Sequence, residues 1–200
     1  MPMEPGNTLM KSIKSEITVF AGPNGSGKST IKSVSPHVKQ LYINADDIKL
    51  ANHCSDIEAA KQAEQMRNEC VDMMRSFSFE TVLSTDRNIN LLKEAKEKGY
   101  FIRGIFVLTN NPELNILRVL TRIENGGHDV PEEKIISRFS KSVANIPQFV
   151  ELCDVCHIYD NTGREPKRIF KKKKKEITFW TTQYWSLPKI SRLVNIPLEE

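Results

Sequence analysis

The chain has 200 residues, 39% of them apolar and 27% charged, the make-up of a folded, soluble domain and not of a disordered chain. At this length about 70% of the surface exposed by the unfolded chain can be buried, so no disulfide or metal is needed to hold the fold. There are 29 Lys and Arg against 25 Asp and Glu, a net charge of +4. Lys171 to Lys175 supply five of those positive charges, and without them 24 basic residues face 25 acidic ones, a net of −1. The basic character is local, so a general nucleic-acid-binding surface is not expected. No stretch approaches the ~20 apolar residues of a membrane span, and the opening residues lack the apolar core of a secretory signal. The cytoplasm is the expected compartment.

In chain order, residues 1–14 read as a loosely attached N-terminus, 15–165 as the main domain and 166–200 as a basic hairpin or extension. Ile17 to Ala21 is a β-branched, aromatic strand ending at glycine, and a helix starts just inside Gly27-Lys28-Ser29-Thr30. Leu41 to Asn44 is a second strand, Asp56 to Phe77 one long helix unbroken by Gly or Pro, and Phe79 to Leu83 a third strand. Leu91 to Lys98 is a helix closed by Gly99. Phe101 to Leu108 is nearly continuous in apolar character and belongs at the centre of a sheet. Asn111 suits an N-cap, with Pro112 at the first position of a helix running to Glu124, and Asn125-Gly126-Gly127 ends it. Pro131 opens another helix that ends near Asn145, Val155 to Tyr159 is the fifth strand, and Asp160 to Gly163 is a turn. Strands alternating with helices imply a mostly parallel sheet with helices packed on it.

Cys153-Asp154-Val155-Cys156-His157 matches the C-x-x-C-H spacing of haem attachment. The same residues enter a buried strand, where cysteine behaves as a small apolar side chain, and no second ligand pair completes a tetrahedral metal site.

The most specific motif is Gly22-Pro23-Asn24-Gly25-Ser26-Gly27-Lys28-Ser29, which fits G-x-x-x-x-G-K-[ST] between a strand and a helix. Such a loop turns successive backbone N–H groups toward phosphate oxygens; the lysine reaches the β- and γ-phosphates and the Ser29 hydroxyl suits Mg²⁺. The predicted nucleotide site is Gly22, Asn24, Gly25, Ser26, Gly27, Lys28, Ser29 and Thr30. ATPases, kinases and ABC subunits all use this loop, but the LSGGQ-like signature and the Asp-Glu pair of ABC proteins are both missing from the chain.

Asn44-Ala45-Asp46-Asp47-Ile48 follows the second strand, at the carboxyl edge where open parallel sheets bind ligands. A carboxylate there either accepts the proton of an attacking hydroxyl or caps the following helix; Asp46 suits the pocket and Asp47 the cap. Arg118 and Arg122 are four apart on one helical face, and with His128 and Arg138 they flank a glycine-rich break. Arginines without context are usually solvated, but a helix-break-helix carrying several is the form of a lid, here around 112–146, that closes over a triphosphate.

Taken in order, AGPNGSGKST, INADDI, FSFETVLS, RVLTRIENGGHDVP, a helix containing Arg138, and IYDN resemble the zeta-toxin family of P-loop kinases, in its short branch with an ABC-like loop. The resemblance covers Ile17 to Asn161. It implies a P-loop NTPase fold of the α/β class: a mostly parallel five-stranded sheet flanked by helices, with a helical lid and a small C-terminal extension. It further implies an ATP- and Mg²⁺-dependent kinase acting on a hydroxyl of a nucleotide-activated sugar, UDP-N-acetylglucosamine being the best-known substrate. Many members are toxins restrained by an antitoxin protein. By position Asp46 matches the catalytic base, Lys28 and Ser29 the ATP and Mg²⁺ residues, Arg122 a lid arginine, and Glu80 a carboxylate that holds the sugar nucleotide. The chain departs from the longer toxins at Val82 and Ser84, where they place threonine and arginine, and at His128, which replaces the second lid arginine. Arg87 and Arg138 are the candidates to compensate.

Rival readings are an ATP-dependent binding switch without acceptor chemistry, and a kinase acting on another nucleotide such as NAD. Nucleic-acid binding through Lys171 to Lys175 is not expected, because the run has no interleaved aromatics for base stacking.

Overall fold

The computed structural model describes residues 14–39, 41–124 and 130–198. Most of the expected loose N-terminus thus lies outside the described residues. Five strands, β1 (Glu16–Ala21), β2 (Tyr42–Ile43), β3 (Phe77–Thr81), β4 (Phe101–Leu108) and β5 (Val155–Asp160), pair in parallel in the spatial order β2-β3-β1-β4-β5. β1 lies between β3 and β4, so successive strands leave it in opposite directions. The crevice at its carboxyl end is where such sheets bind ligands.

β4 is buried on both faces, as its apolar run predicts. On one face Phe106 and Ile102 join Phe77, Phe79 and Tyr100 beneath α3 (Asp56–Asp72), α4 (Asp86–Glu97) and α7 (Ile146–Leu152). The other face holds a smaller cluster of Phe20, Ile105 and Val107 against Ile31 of α1 (Lys28–Ser33). Among the described helices none is long and apolar enough to cross a membrane.

Three boundaries differ from the sequence reading. The long helix stops at Asp72 and not at Phe77, because Met74 takes a left-handed φ of 52° and the Arg75 N–H turns back to the Cys70 carbonyl. β3 then begins at Phe77, opposite Ile17, so the ladder with β1 overrides the helical tendency of Met73-Met74-Arg75. α4 starts at Asp86, well before Leu91, and α7 was not expected at all. The helix after β2, α2 (Ala45–Asn52), is capped by Asn44, whose side chain accepts from the Asp46 N–H; Asp47 is therefore not the cap. α5 (Pro112–Glu124) and α6 (Glu132–Ala144) match expectation, and Asn111 Oδ1 caps the first by accepting from the Leu114 N–H at 3.1 Å.

The C-terminal stretch extends the main sheet. β6 (Lys167–Lys173) pairs antiparallel with β5, and β7 (Glu176–Phe179) with β6, so the sheet has seven strands, five parallel and two antiparallel. Without the hairpin β5 would leave a row of bare N–H and C=O groups. Phe170 points inward onto Phe179 at 5.6 Å, and Lys172 Nζ donates to the Val150 and Glu151 carbonyls at the end of α7, where a cation is favoured. α8 (Leu187–Val194) closes that side with buried Ile190 and Val194.

Cys153 and Cys156 are free and buried in the core, while the neighbouring His157 lies across from Lys171. Its Nδ1 is buried without a partner, and burial together with Arg168, Lys171, Arg103 and His37 lowers its pKa to about 4. An unfolded histidine binds its proton near pH 6.5, so the unfolded state gains protons first as the pH falls. The stability held by neutral His157 is therefore expected to be full above about pH 6.5 and to drain away between that value and about pH 4. Melting temperatures across this range should fall less steeply for His157→Gln than for the parent protein.

Candidate active site

The loop between β1 and α1 fits so closely against the rest of the protein that its glycine positions have no room for a side chain. At Gly25, with φ +72°, a Cβ would stand 2.4 Å from the Asn115 carbonyl oxygen; at Gly27, with φ +93°, it would stand 2.1 Å from Asn161 Nδ2. These two asparagines brace the loop. Asn115, fully buried on α5, donates from Nδ2 to the Asn24 carbonyl at 2.5 Å, and Thr109 Oγ1 donates to its Oδ1. Asn161, just past β5, donates from Nδ2 to the Ser26 carbonyl at 2.8 Å. Neither asparagine stood among the expected site residues. Asn115 could have been noticed as a polar residue on the apolar face of α5, and Asn161 only through its place in IYDN.

Lys28 Nζ is buried and donates to the Gly22 and Pro23 carbonyls at 2.9 and 3.0 Å, with Glu80 Oε1 at 3.9 Å. Burial lowers its pKa and the nearby Arg122 charge adds to that, while Glu80 and Asp46 oppose it. Lys28, Arg122, Glu80 and Asp46 therefore share one electrostatic environment. Glu80 Oε2 also accepts from the Tyr42 hydroxyl at 3.1 Å, and burial plus this carboxylate push the Tyr42 phenol far above its ordinary range. That hydroxyl stays a donor at any ordinary pH.

Lys28, Asp46, Glu80 and Arg122 line an open cleft of about 1010 Å³. That is the upper end for a single small-ligand pocket, which leaves room for a triphosphate and a second molecule. Of the expected site residues, Asn24, Gly25, Gly27, Lys28, Ser29, Asp46, Glu80, Ser84, Arg118, Arg122 and Arg138 all line it. Gly22 and Ser26 are buried within the loop, and Thr30 is exposed; none of the three is on the cleft wall. His128 lies outside the described residues.

Arg87 does not reach the cleft: it is exposed and its Nη1 lies 3.4 Å from Glu64 Oε2. Because α4 begins earlier than expected, the next residue faces inward, and Asn88 Nδ2 donates to Thr81 Oγ1 at 2.8 Å in the cleft wall. The wall from Thr81 to Ser84 is held from α6, with Ser142 Oγ donating to the Val82 carbonyl at 2.6 Å and Asn145 Nδ2 to the Leu83 carbonyl at 3.0 Å. Arg118 and Arg122 face the cleft from α5, and Lys134 and Arg138, also four apart, face it from α6. Arg118 Nη1 is buried without a partner; burial lowers the Arg118 pKa and the Asp160 carboxylate opposes that.

A parallel sheet with this loop at its switch point, a carboxylate after the next strand and arginines on two facing helices define a P-loop NTPase fold of the kinase type. The family model "Zeta toxin" matches residues 7–175, and the chain belongs to that family. An uncharacterized protein of Haemophilus influenzae is 30% identical over 125 residues, covering 60% of this chain and 89% of its own length. Among solved structures, the AvrRxo1-ORF1:AvrRxo1-ORF2 complex is similar in its form with sulphate ions (TM-score 0.69, 16% identity, 92% of this chain) and with ATP (0.68, 15%, 94%). This chain spans 64% and 66% of the length of those two. The structure from the PezAT chromosomal toxin-antitoxin system of Streptococcus pneumoniae has a TM-score of 0.57 and 18% identity, covering 94% of this chain and 87% of that one. At these identities the likeness to the solved structures is one of fold.

The bracing of the loop is open to direct test. Gly25→Ala should cost about 2 kcal/mol or more of stability, from the left-handed backbone and the overlap with Asn115. Asn161→Ala leaves the Ser26 carbonyl unpaired and should weaken binding of a non-hydrolysable ATP analogue about tenfold in calorimetric titration.

Proposed function

We propose that the protein transfers the γ-phosphoryl group of ATP to a hydroxyl of a nucleotide-activated sugar of the UDP-N-acetylglucosamine kind. The observation that carries this reading is the gathering of Lys28, Asp46, Glu80 and Arg122 in one cleft with room for two ligands. A switch that only bound ATP would need no second carboxylate beside the first.

In the proposed mechanism Lys28 leaves the Gly22 and Pro23 carbonyls for the β- and γ-phosphates, and the loop N–H groups hold the remaining oxygens. Ser29 lines the cleft next to Lys28, and its hydroxyl is a hard oxygen donor that suits Mg²⁺ held jointly with phosphate oxygens. When bound, that ion neutralises charge on the transferring group. Glu80, oriented by the Tyr42 hydroxyl, accepts from hydroxyls of the sugar. Asp46 takes the proton of the attacking hydroxyl as its oxygen bonds to the γ-phosphorus and the bond to the β-phosphate oxygen breaks, releasing ADP. Arg122 closes on the phosphoryl oxygens, with Arg118 and Arg138 beside it.

Family membership and the toxin-antitoxin source of the PezAT structure support a toxin role with an antitoxin partner. The ATP named for the AvrRxo1 complex supports the choice of donor. The reaction as written belongs to the cytoplasm, where ATP and nucleotide sugars are found together.

Incubation with ATP, Mg²⁺ and a panel of nucleotide sugars, with NAD included, should yield one product heavier by about 80 Da, a single phosphoryl group. ATP hydrolysis with no such product would overturn the reading in favour of a switch. Asp46→Ala should abolish transfer while leaving affinity for the ATP analogue within about threefold, and Arg122→Ala should slow transfer by up to ~10³.

A further inference from the structure

β6 and the turn after it carry Lys167, Arg168 and the run Lys171 to Lys175, while the single carboxylate of β6 and β7, Glu176, lies across from Lys173. Among the described residues none of these basic side chains forms an ion pair. Strand pairing sorts them by face. Lys172 lies across from Cys156 and turns to the α7 carbonyls on the helix-covered side. Lys171 lies across from His157, Lys173 from Val155 and Arg168 from Tyr159, so these three cations stand on the opposite face.

That face is bare toward its edge. The apolar cluster on it is Phe20, Ile31, Ile105 and Val107 with Tyr159 at the margin, and α1, which supplies Ile31, is only six residues long. From β6 outward no apolar cluster of described residues covers it: Arg168, Lys173 and Thr178 are exposed, and Lys171 and Trp180 are half-buried. Ile169, Phe170 and Phe179 pack instead into the main core on the other side. None of these residues lines the cleft that holds Lys28 and Asp46.

Sheet pairing also brings among these cations the aromatic rings that the lysine run lacks in sequence. Trp180 directly follows β7, and the Arg168 guanidinium is laid over its ring at 4.5 Å from the centroid. Tyr159 is half-buried across from Arg168, and its ring lies 6.3 Å from that of His157. Lys171 stands beside His157, and Lys173 follows on the same face about 7 Å along the strand. Burial, and after it the charges of Arg168, Lys171 and Arg103, lower the His157 pKa to about 4, so this imidazole is neutral at neutral pH and lies in a positive field.

Lysines alone would hold any polyanion. Flat rings set between them select one whose bases are free to stack, because a base rests equally well on an aromatic face or on a guanidinium plane while its phosphates meet the cations. In a duplex the bases are already stacked on one another, and an acidic peptide has none. We infer that the open face of β5, β6 and β7 binds single-stranded nucleic acid, with bases against Tyr159 and the Arg168 and Trp180 stack and phosphates on Lys171 and Lys173. The site is separate from the cleft, and the inference does not depend on the phosphotransfer reading.

The test follows the fluorescence anisotropy of a labelled oligouridylate and a labelled oligothymidylate, each of about twelve nucleotides, as the full chain is added at several salt concentrations. The parent protein should bind at least one of them, and the ratio of the two affinities distinguishes an RNA site from a DNA site. Arg168→Lys keeps the charge but loses the plane, and should weaken binding about fivefold with the salt slope unchanged; Trp180→Ala should weaken it by at least as much. Lys171→Gln combined with Lys173→Gln should weaken binding and flatten the salt slope by about 1.4, the share of two phosphate contacts on a single strand. Melting temperature and affinity for the ATP analogue should be unchanged in Arg168→Lys, which shows that fold and cleft are intact. The inference is overturned if the parent binds neither oligonucleotide, if a duplex of the same length binds as tightly, if polyglutamate displaces the probe as well as unlabelled oligonucleotide does, or if Arg168→Lys and Trp180→Ala both bind like the parent.

Discussion

The cleft depends on a loop whose glycine positions have no room for a side chain. Gly25 and Gly27 sit against Asn115 and Asn161 at distances where a Cβ would overlap an amide or a carbonyl. Each glycine costs roughly 1 kcal/mol of backbone entropy on folding, and the asparagine amides offset this by pairing with the Asn24 and Ser26 carbonyls. Those carbonyls are turned back into the protein, the arrangement by which loops of this kind free N–H groups for an anion. A phosphate-binding surface results with no positive side chain in the loop before Lys28.

Charge in the cleft is held ready in the same manner. Lys28 occupies two loop carbonyls, Glu80 is kept near it by the Tyr42 hydroxyl, and Arg118 carries a buried nitrogen with no partner. Each of these groups has surrendered part of its solvation before any ligand arrives. Polar groups aimed in advance at a developing charge need little rearrangement when it forms, and this is where such sites gain most of their effect.

The glycine-rich loop, the central strand, the Asn111 cap and the paired faces of Arg118 and Arg122 could be read from the chain alone, since each depends on contacts within a few residues. What could not be read depends on distant partners. Asn115 and Asn161 gain meaning only from carbonyls 91 and 135 residues away. Arg87 was taken as a substitute for a missing arginine by residue type alone, but it pairs with Glu64 outside the cleft, and Asn88, one residue and about 100° further around α4, faces inward. The lysine run was expected in a basic hairpin at the tail; that Lys171 to Lys173 join the main sheet beside β5 is specified by strand pairing and not by composition. Asn44 displaced Asp47 as the cap of α2 for a similar reason: the end of β2 decides which residue stands at the turn.

α5 carries both a brace of the loop and two arginines of the cleft. Asn115 fixes the helix to the Asn24 carbonyl, and Arg118 and Arg122 follow along the same helix, the second roughly 10 Å further on. The helix thereby acts as a spacer that sets where the guanidinium groups stand relative to the phosphates. Residues on its outer surface, such as exposed Leu117, touch neither end of that span and can change in kind. Adding or removing one residue there would swing both arginines off the cleft while leaving every phosphate ligand in the loop intact. The stretch from Asn115 to Arg122 is therefore under a constraint of length more than of sequence.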